Sequence, residues 1–149
     1  MGYRAFRDVL DSLLGDWRGH RRNQTLEREL VSSKWQKALD GSFLHEDWRT
    51  AGEGLSPAPT AEAFFHVTDS GPGDFIAVYK NGRVAFGEST FANSEWSLTH
   101  RWLRESGVAV IRLRFLDADT YEQAVYEVTA DGSLKEESVA IMKRELVAS

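Results

Sequence analysis

The chain has 149 residues, of which 42% are hydrophobic and 28% are charged, a composition typical of a globular protein with one core. Its formal net charge of −5 argues against general nucleic-acid binding, which needs a basic face to neutralise phosphates. The absence of cysteine excludes disulfides, thiolate metal sites and a cysteine nucleophile.

The N-terminal residues predict a short amphipathic helix, from about Tyr3 to Leu14, that packs across one end of the fold. Phe6, Val9, Leu10 and Leu13 recur there at helical spacing, and Gly15 provides a stop. These residues lack the apolar segment of a signal peptide, and no apolar run of about 20 residues follows that could cross a bilayer. We therefore expect a cytoplasmic protein without a membrane span.

Ten segments of strand length follow, and no second helix interrupts them. They cover about residues 16–25, 27–39, 42–51, 60–68, 74–80, 83–91, 95–103, 108–116, 121–129 and 133–145. Most connections are short and contain turn residues, as in Asp40-Gly41, Asn81-Gly82 and Asp131-Gly132. Sequential strands joined so tightly are antiparallel neighbours. We expect an all-β domain over residues 1–149, an antiparallel up-and-down barrel of about 9–10 strands.

Alternation along three strands indicates a sheet with one apolar face. In segment 95–103, Trp96, Leu98, His100 and Trp102 share a face, and in segment 108–116 the same holds for Ala109, Ile111, Leu113 and Phe115. In segment 42–51, Leu44, Glu46 and Trp48 oppose His45, Asp47 and Arg49. An open sheet of ten such strands would expose two edges, whereas closure removes both, so a barrel is preferred over a sandwich.

The phrase Gly15-Asp16-Trp17-Arg18-Gly19, directly after the helix, resembles the opening of calycin barrels, which include lipocalins, fatty-acid-binding proteins and nitrobindin-type proteins. The chain is more similar to lipocalin-like small bacterial domains of unknown function, the DUF1579-type proteins. That similarity rests on four short phrases: Leu14-Gly15-x-Trp17-x-Gly19, the turn and strand start Asp40-Gly41-Ser42-Phe43-Leu44, Asp117-x-Asp119-Thr120-Tyr121, and Asp131-Gly132 before the last strand. It implies a barrel whose base is plugged by Trp17. Nitrobindin-type barrels bind haem through a late histidine, whereas the last histidine here is His100, so we expect no haem and no other cofactor.

Three polar residues are candidates for a ligand site inside the barrel. His100 lies on an aromatic face and could orient a ligand or act as acid or base near neutral pH, or it could be a hydrogen-bonded wall residue. Glu46 is either an enclosed carboxylate, with a raised pKa or a cationic partner such as Arg21, or a solvent-facing strand residue. Arg21 is either an internal anion site or a rim residue that pairs with an acid.

Aromatic residues complete the candidate ligand-binding set. Trp35, Trp48, Trp102 and Tyr126 are either core filler or the lining of a small apolar cavity. The four histidines are scattered without metal-ligand spacing, so no metal site is predicted. Loop Gly52–Pro59 holds two prolines and is long enough to gate such a cavity.

The sequence favours binding of a small, largely hydrophobic molecule inside the barrel. Two alternatives remain open. One is an enzyme of the isomerase, cyclase or hydratase type that transfers protons on an enclosed apolar substrate. The sequence favours a non-enzymatic binder over this enzyme. The other is a non-catalytic interaction domain with a filled barrel, whose outer face pairs with itself as a homodimer or with a partner.

Overall fold

The computed structural model describes residues 6–23, 28–51, 56–69 and 71–145, and within them one helix precedes ten strands. Parts of the predicted helix, of the first two strands and of loop Gly52–Pro59 (residues 3–5, 24–27 and 52–55) lie outside the described residues. The elements are α1 (Phe6–Leu13), β1 (Gly15–Asn23), β2 (Arg28–Ala38), β3 (Phe43–Ala51), β4 (Ala58–Thr68), β5 (Gly71–Tyr79), β6 (Val84–Ala92), β7 (Glu95–Trp102), β8 (Val108–Asp117), β9 (Thr120–Val128) and β10 (Leu134–Arg144).

The ten strands form one closed antiparallel barrel, as the sequence predicts. Each strand pairs with its neighbours in the chain, and β1 pairs with β10 to close the ring. In that closing ladder Gly19 lies opposite Met142, and Trp17 lies opposite Arg144. Closure gives each strand two paired neighbours, so the ring has no open edge at which another strand could add.

Burial shows which of the alternating faces predicted for β7 and β3 points into the barrel. On β7, Trp96, Leu98 and His100 are all at most 5% exposed. On β3, Leu44 and Trp48 are buried, and the intervening His45 points outward to Glu62. Because side chains alternate along a strand, these assignments also fix the direction of Glu46, which shares the inner face.

Helix α1 closes one end of the barrel, which we call the base. Its apolar side chains join the interior, where the Phe6 ring lies 5.3 Å from the Phe91 ring and 5.2 Å from the Trp96 ring. Leu10 and Leu13 are buried beside them. An isolated helix of this length is unstable in water, so its burial against the barrel is what maintains it.

Trp17 and Arg144 tie the helix to the barrel. The Trp17 indole donates its Nε1–H to the carbonyl oxygen of Leu13 over 2.7 Å, and the Arg144 guanidinium lies 4.4 Å above the indole ring. Arg144 also donates to the carbonyls of Ser12 and Leu14. The final carbonyls of a helix have no partner within it, so these donors satisfy groups that would otherwise be orphaned at the base.

Gly87 permits the close approach of β6 to β7, and its replacement by alanine should cost about 2–3 kcal/mol of unfolding free energy. A Cβ at this position would overlap the carbonyl oxygen of Thr99 and lie 3.1 Å from the Phe75 ring. Urea denaturation followed by circular dichroism measures the loss. Gly73→Ala is the control, because its Cβ would meet only side chains, the nearest being His66 at 3.2 Å. Equal losses in both variants would contradict this account.

Candidate functional site

The upper half of the barrel interior is a cavity of about 540 Å³. Its apolar walls include Trp35, Phe65, Leu98 and Ile111, and the aromatic core above α1 forms its floor. Residues from the turn after β7 and the end of β9, such as Gly107 and Val128, line its upper rim. The volume is within the usual range for pockets that hold small molecules, so the barrel is hollow rather than filled. We call the end with this rim the mouth.

Six of the seven predicted ligand-binding residues line this cavity, and one does not. The six residues are Arg21, Trp35, Glu46, Trp48, His100 and Trp102. Tyr126 lies on the outer face instead, with its ring 5.2 Å from the Arg112 guanidinium, so the structure does not bring it together with the other six. The lining residues of β9 are Gln123, Val125 and Glu127, and strict alternation directs the residue between the last two outward.

Glu46 places a carboxyl group in the cavity wall. Its Oε2 accepts a hydrogen bond of 2.7 Å from the buried Ser33 hydroxyl on β2. Burial raises the pKa of Glu46 to about 7, an effect that the Ser33 hydrogen bond opposes and the nearby Asp47 charge reinforces. The carboxyl is thus half protonated near neutral pH and can both donate and accept hydrogen bonds.

His100 projects into the cavity from β7. Its Nε2 lies 3.0 Å from the Tyr79 hydroxyl, and its ring meets Trp102 edge-on with centroids 4.7 Å apart. Burial, with a smaller effect from the Arg83 charge, lowers the pKa of His100, so its imidazole is neutral at pH 7. Burial and the nearby Glu46 carboxylate raise the pKa of Tyr79 to about 12, so that hydroxyl keeps its proton.

The Nδ1 atom of His100 is buried and has no hydrogen-bond partner among the residues that the structure describes. An unsatisfied buried polar atom costs free energy, and in a native protein such an atom calls for a specific explanation. Because the atom is buried, it faces packed protein and not the open space of the cavity, into which the Nε2 side of the ring is held by Tyr79.

Both arginines of the cavity wall are already paired with carboxylates. Arg21 donates through Nε to Glu29 over 2.8 Å and through Nη2 to the same oxygen. Arg83 donates to both Glu105 oxygens, at 3.0 and 2.9 Å, and its guanidinium lies 3.5 Å above the Trp102 ring. Arg21 therefore pairs with Glu29 and not with Glu46, and of the two possibilities given for an enclosed Glu46 the raised pKa is the one found.

Several polar residues of the site were not predicted from the sequence, and Tyr79 and Ser33 are the two nearest to the predicted polar groups. Tyr79 carried a usable signal, because Phe75, Ala77 and Tyr79 alternate along one strand and all face inward. Ser33 carried a weaker signal, because it lies two residues before Trp35 and alternation gives both the same face, whereas its contact with Glu46 depends on the register of β2 with β3. Residues 52–55 of the predicted gate lie outside the described residues, although Thr60 and Ala61 after them line the cavity.

A larger depression, of about 640 Å³, lies on the outer face of β1 and β10. It is bordered by exposed basic side chains, among them Arg18, Arg22 and Lys143. Its walls are the convex side of a barrel, so it cannot enclose a small molecule as the interior does, and the interior cavity is the stronger candidate.

Neither a metal cluster nor a membrane helix is found in the described part of the chain. No group of three or more His, Asp or Glu side chains there is arranged to hold a metal ion. The single helix among the described residues is too short and too polar to span a bilayer.

Comparison with known proteins supports the fold. No family model matches the chain, and no curated protein does. The solved structure of Rv2717c from M. tuberculosis is similar over 97% of this chain and 100% of its own, with a TM-score of 0.65 and 14% identity. The S-type phycobiliprotein lyase CPES from Guillardia theta matches over 97% of this chain and 95% of its own, with a TM-score of 0.62 and 13% identity. At such identities the likeness shows the fold alone, which is the closed ten-stranded antiparallel barrel.

Proposed function

We propose that this barrel binds a small, largely apolar molecule in its interior, with the polar end of the molecule directed towards Glu46 and His100. The cavity carries the proposal: about 540 Å³ of space, walled by aromatic and aliphatic side chains, with a few convergent polar groups. Affinity would come from contact with Trp35, Trp48 and Trp102, and orientation would come from the carboxyl and imidazole groups.

The hollow interior weighs against a purely structural barrel. Packing a protein interior to normal density stabilises it, and each unfilled space costs free energy through lost contacts. Here three alanines, Ala61, Ala63 and Ala77, line the cavity on adjacent strands, where larger residues would close it. Retaining small residues beside bulky aromatic ones is the arrangement expected of a binding site.

Filling the cavity tests the proposal. The half-buried Ala109 lies on β8 opposite His100 and lines the cavity, so Ala109→Phe should weaken binding of the neutral dye N-phenylnaphthylamine by about tenfold or more. Dye fluorescence, excited through energy transfer from the wall tryptophans, measures the affinity. Val110→Phe is the matched control, because the adjacent position faces outward and should leave dye binding unchanged. Absence of dye binding to the native protein, or equal loss in both variants, would contradict an interior site.

A second candidate function is proton transfer on the enclosed molecule. Glu46 and His100 both face the cavity, from strands β3 and β7 that stand on nearly opposite sides of the ring. A carboxyl group that titrates around neutral pH can act as an acid, and a neutral imidazole can act as a base. Native mass spectrometry of the purified protein, followed by isolation of any bound compound and re-incubation with it, distinguishes the two functions: a binder returns the compound unchanged, whereas an enzyme converts it.

The closer relationship to DUF1579-type domains and the cytoplasmic location stay predictions. The phrases around Trp17, Asp40 and Asp131 support the first, since they occur in the same order along the chain. The homodimer also stays a prediction. An exposed apolar group on the outer face of β5 and β6, formed by Ile76, Val78 and Phe86, is a surface where it could form.

A further inference from the structure

We propose that the molecule bound in the cavity carries a protonated amine, held by the Glu46 carboxylate and enclosed by aromatic rings. The inference rests on the proposed function and specifies its ligand class. Glu46 Oε2 is occupied by the Ser33 hydroxyl, whereas Oε1 has no hydrogen-bond donor among the described residues and borders the cavity. A carboxylate with one free oxygen, deep in an apolar chamber, is suited to an N–H donor, and a charged donor gives the strongest such bond.

The cations of the cavity wall are already paired with carboxylates of the protein, which compete with an anionic ligand. Arg21 is bound to Glu29, and Arg83 is bound to both oxygens of Glu105. A ligand carboxylate would have to break one of these pairs and leave a carboxylate of the protein without its partner. Both pairs are partly exposed to solvent, with side chains 32% and 34% exposed for Arg21 and Glu29 and 39% and 46% exposed for Arg83 and Glu105, so the cost is modest and the competition weakens the binding of an anion. The polar end of the ligand is therefore expected to be positive or neutral.

The remaining charges of the wall are acidic. Glu127 and Glu137 line the cavity at its mouth, and neither forms an ion pair within the described ranges. Lys135 lies opposite Glu127 in the β9–β10 ladder but is exposed, and no ion pair joins the two. Apart from the two paired arginines, the charged side chains that line the cavity are therefore carboxylates, which attract a cation more than an anion.

The aromatic walls supply a second attraction for an ammonium group. Trp35 and Trp48 flank Glu46 in the wall, and Tyr79 and Trp102 stand across the cavity. Cations bind to the faces of such rings, and the strength grows as water is excluded. The Trp102 ring already holds a cation in this way, since the Arg83 guanidinium lies 3.5 Å from its centroid.

The pKa of Glu46, about 7, makes the carboxylate available near neutral pH, and a bound ammonium would lower that pKa further. The other titratable and charged groups around it come from several strands. They are Asp47 on β3, Arg21 and Glu29 on β1 and β2, Tyr79 on β5, Arg83 before β6, His100 on β7, and Tyr121 on β9. Of these, the two tyrosines have raised pKa values and His100 a lowered one, so Glu46 alone changes charge around pH 7.

Three probes of equal apolar body test the proposal: phenylbutylamine, phenylbutanol and phenylbutyrate, measured by isothermal titration calorimetry. At pH 8 the amine should bind about tenfold or more tightly than the alcohol, and the carboxylate should bind weakest. Lowering the pH to 6 should weaken the amine about tenfold, because Glu46 must then lose its proton first, and should leave the alcohol unchanged. Glu46→Gln should remove the advantage of the amine, and Glu62→Gln on the outer face should not.

The outcomes separate the two proposals. If none of the probes and no dye binds, the proposed binding function itself fails. If the alcohol or the carboxylate binds as tightly as the amine, or if Glu46→Gln leaves the amine's advantage intact, the amine inference is overturned while the cavity remains a binding site. Circular dichroism of the Glu46→Gln variant checks that it is folded, so that a lost preference for the amine cannot result from unfolding.

Discussion

Replacing Trp17 with alanine is expected to lower the free energy of unfolding by about 3–5 kcal/mol, the cost of removing a fully buried large aromatic side chain. The indole is 2% exposed, and its ring meets the Tyr121 ring edge-on with centroids 4.8 Å apart. Its N–H also bonds to the Leu13 carbonyl, so truncation leaves a cavity and an unsatisfied helix end together. Because a stability of this size is much of what a small domain possesses, the variant should unfold at markedly lower urea concentration.

Two further variants separate the contributions at the base. Trp17→Phe keeps a ring but loses the donor to Leu13, and should cost about 1–3 kcal/mol. Trp102→Ala is the matched control for size, because its indole borders the open cavity instead of the close-packed base and should cost less than half as much. Urea unfolding monitored by far-ultraviolet circular dichroism measures all three variants. If Trp102→Ala proved as damaging as Trp17→Ala, the distinction between a filled base and a hollow upper half would be wrong.

The barrel was predictable because its signals are local. Period-two alternation from Trp96 to Trp102 and from Leu44 to Trp48 assigns inner faces without knowledge of any partner strand. Turn residues such as Asn81-Gly82 mark where the chain reverses, and short reversals require antiparallel neighbours. Once the inner faces are known, most cavity-lining residues follow.

The chemistry of the site was less predictable because it depends on register. Arg21 meets Glu29, and Ser33 meets Glu46, only through the relative positions of neighbouring strands. A shift of one residue would reverse the face of either partner. Tyr126 shows the same limit: being aromatic did not determine its direction, and its strand carries no clean apolar alternation to do so.

Glu46 links stability to the proposed function. A carboxyl group with a pKa near 7 is one whose ionised form the fold does not stabilise, and a glutamine of similar shape would keep the hydrogen bond from Ser33 at lower cost. Groups that weaken the fold in this way are concentrated at functional sites, where a bound ligand supplies the charge or hydrogen bond that stabilises the ionised form. If that holds here, Glu46 should reveal itself in the unliganded protein through the pH dependence of unfolding.

Stability should accordingly fall as the pH rises from about 4.5 to about 7, the ordinary and the folded pKa values of Glu46. In this window the unfolded chain has lost the proton that the folded protein still holds, so each pH unit favours unfolding until the folded carboxyl also ionises. The difference amounts to about 3 kcal/mol above pH 8, where it is fully developed. His100 acts in the opposite direction, because its lowered pKa favours the folded state as the pH rises.

Comparison of Glu46→Gln with the native protein isolates the carboxyl, since the His100 contribution is common to both. The variant should match the native protein within about 1 kcal/mol near pH 4 and exceed it by about 3 kcal/mol at pH 8, as measured by urea unfolding. Asp74→Asn, at an exposed position on β5, should show no such divergence. At pH 8, phenylbutylamine should raise the free energy of unfolding of the native protein more than that of Glu46→Gln. A ligand stabilises the folded state in proportion to its affinity, and the variant should bind the amine more weakly. A native curve that runs parallel to that of Glu46→Gln would mean that the carboxyl ionises freely in the folded barrel and cannot be the enclosed group around which the cavity is built.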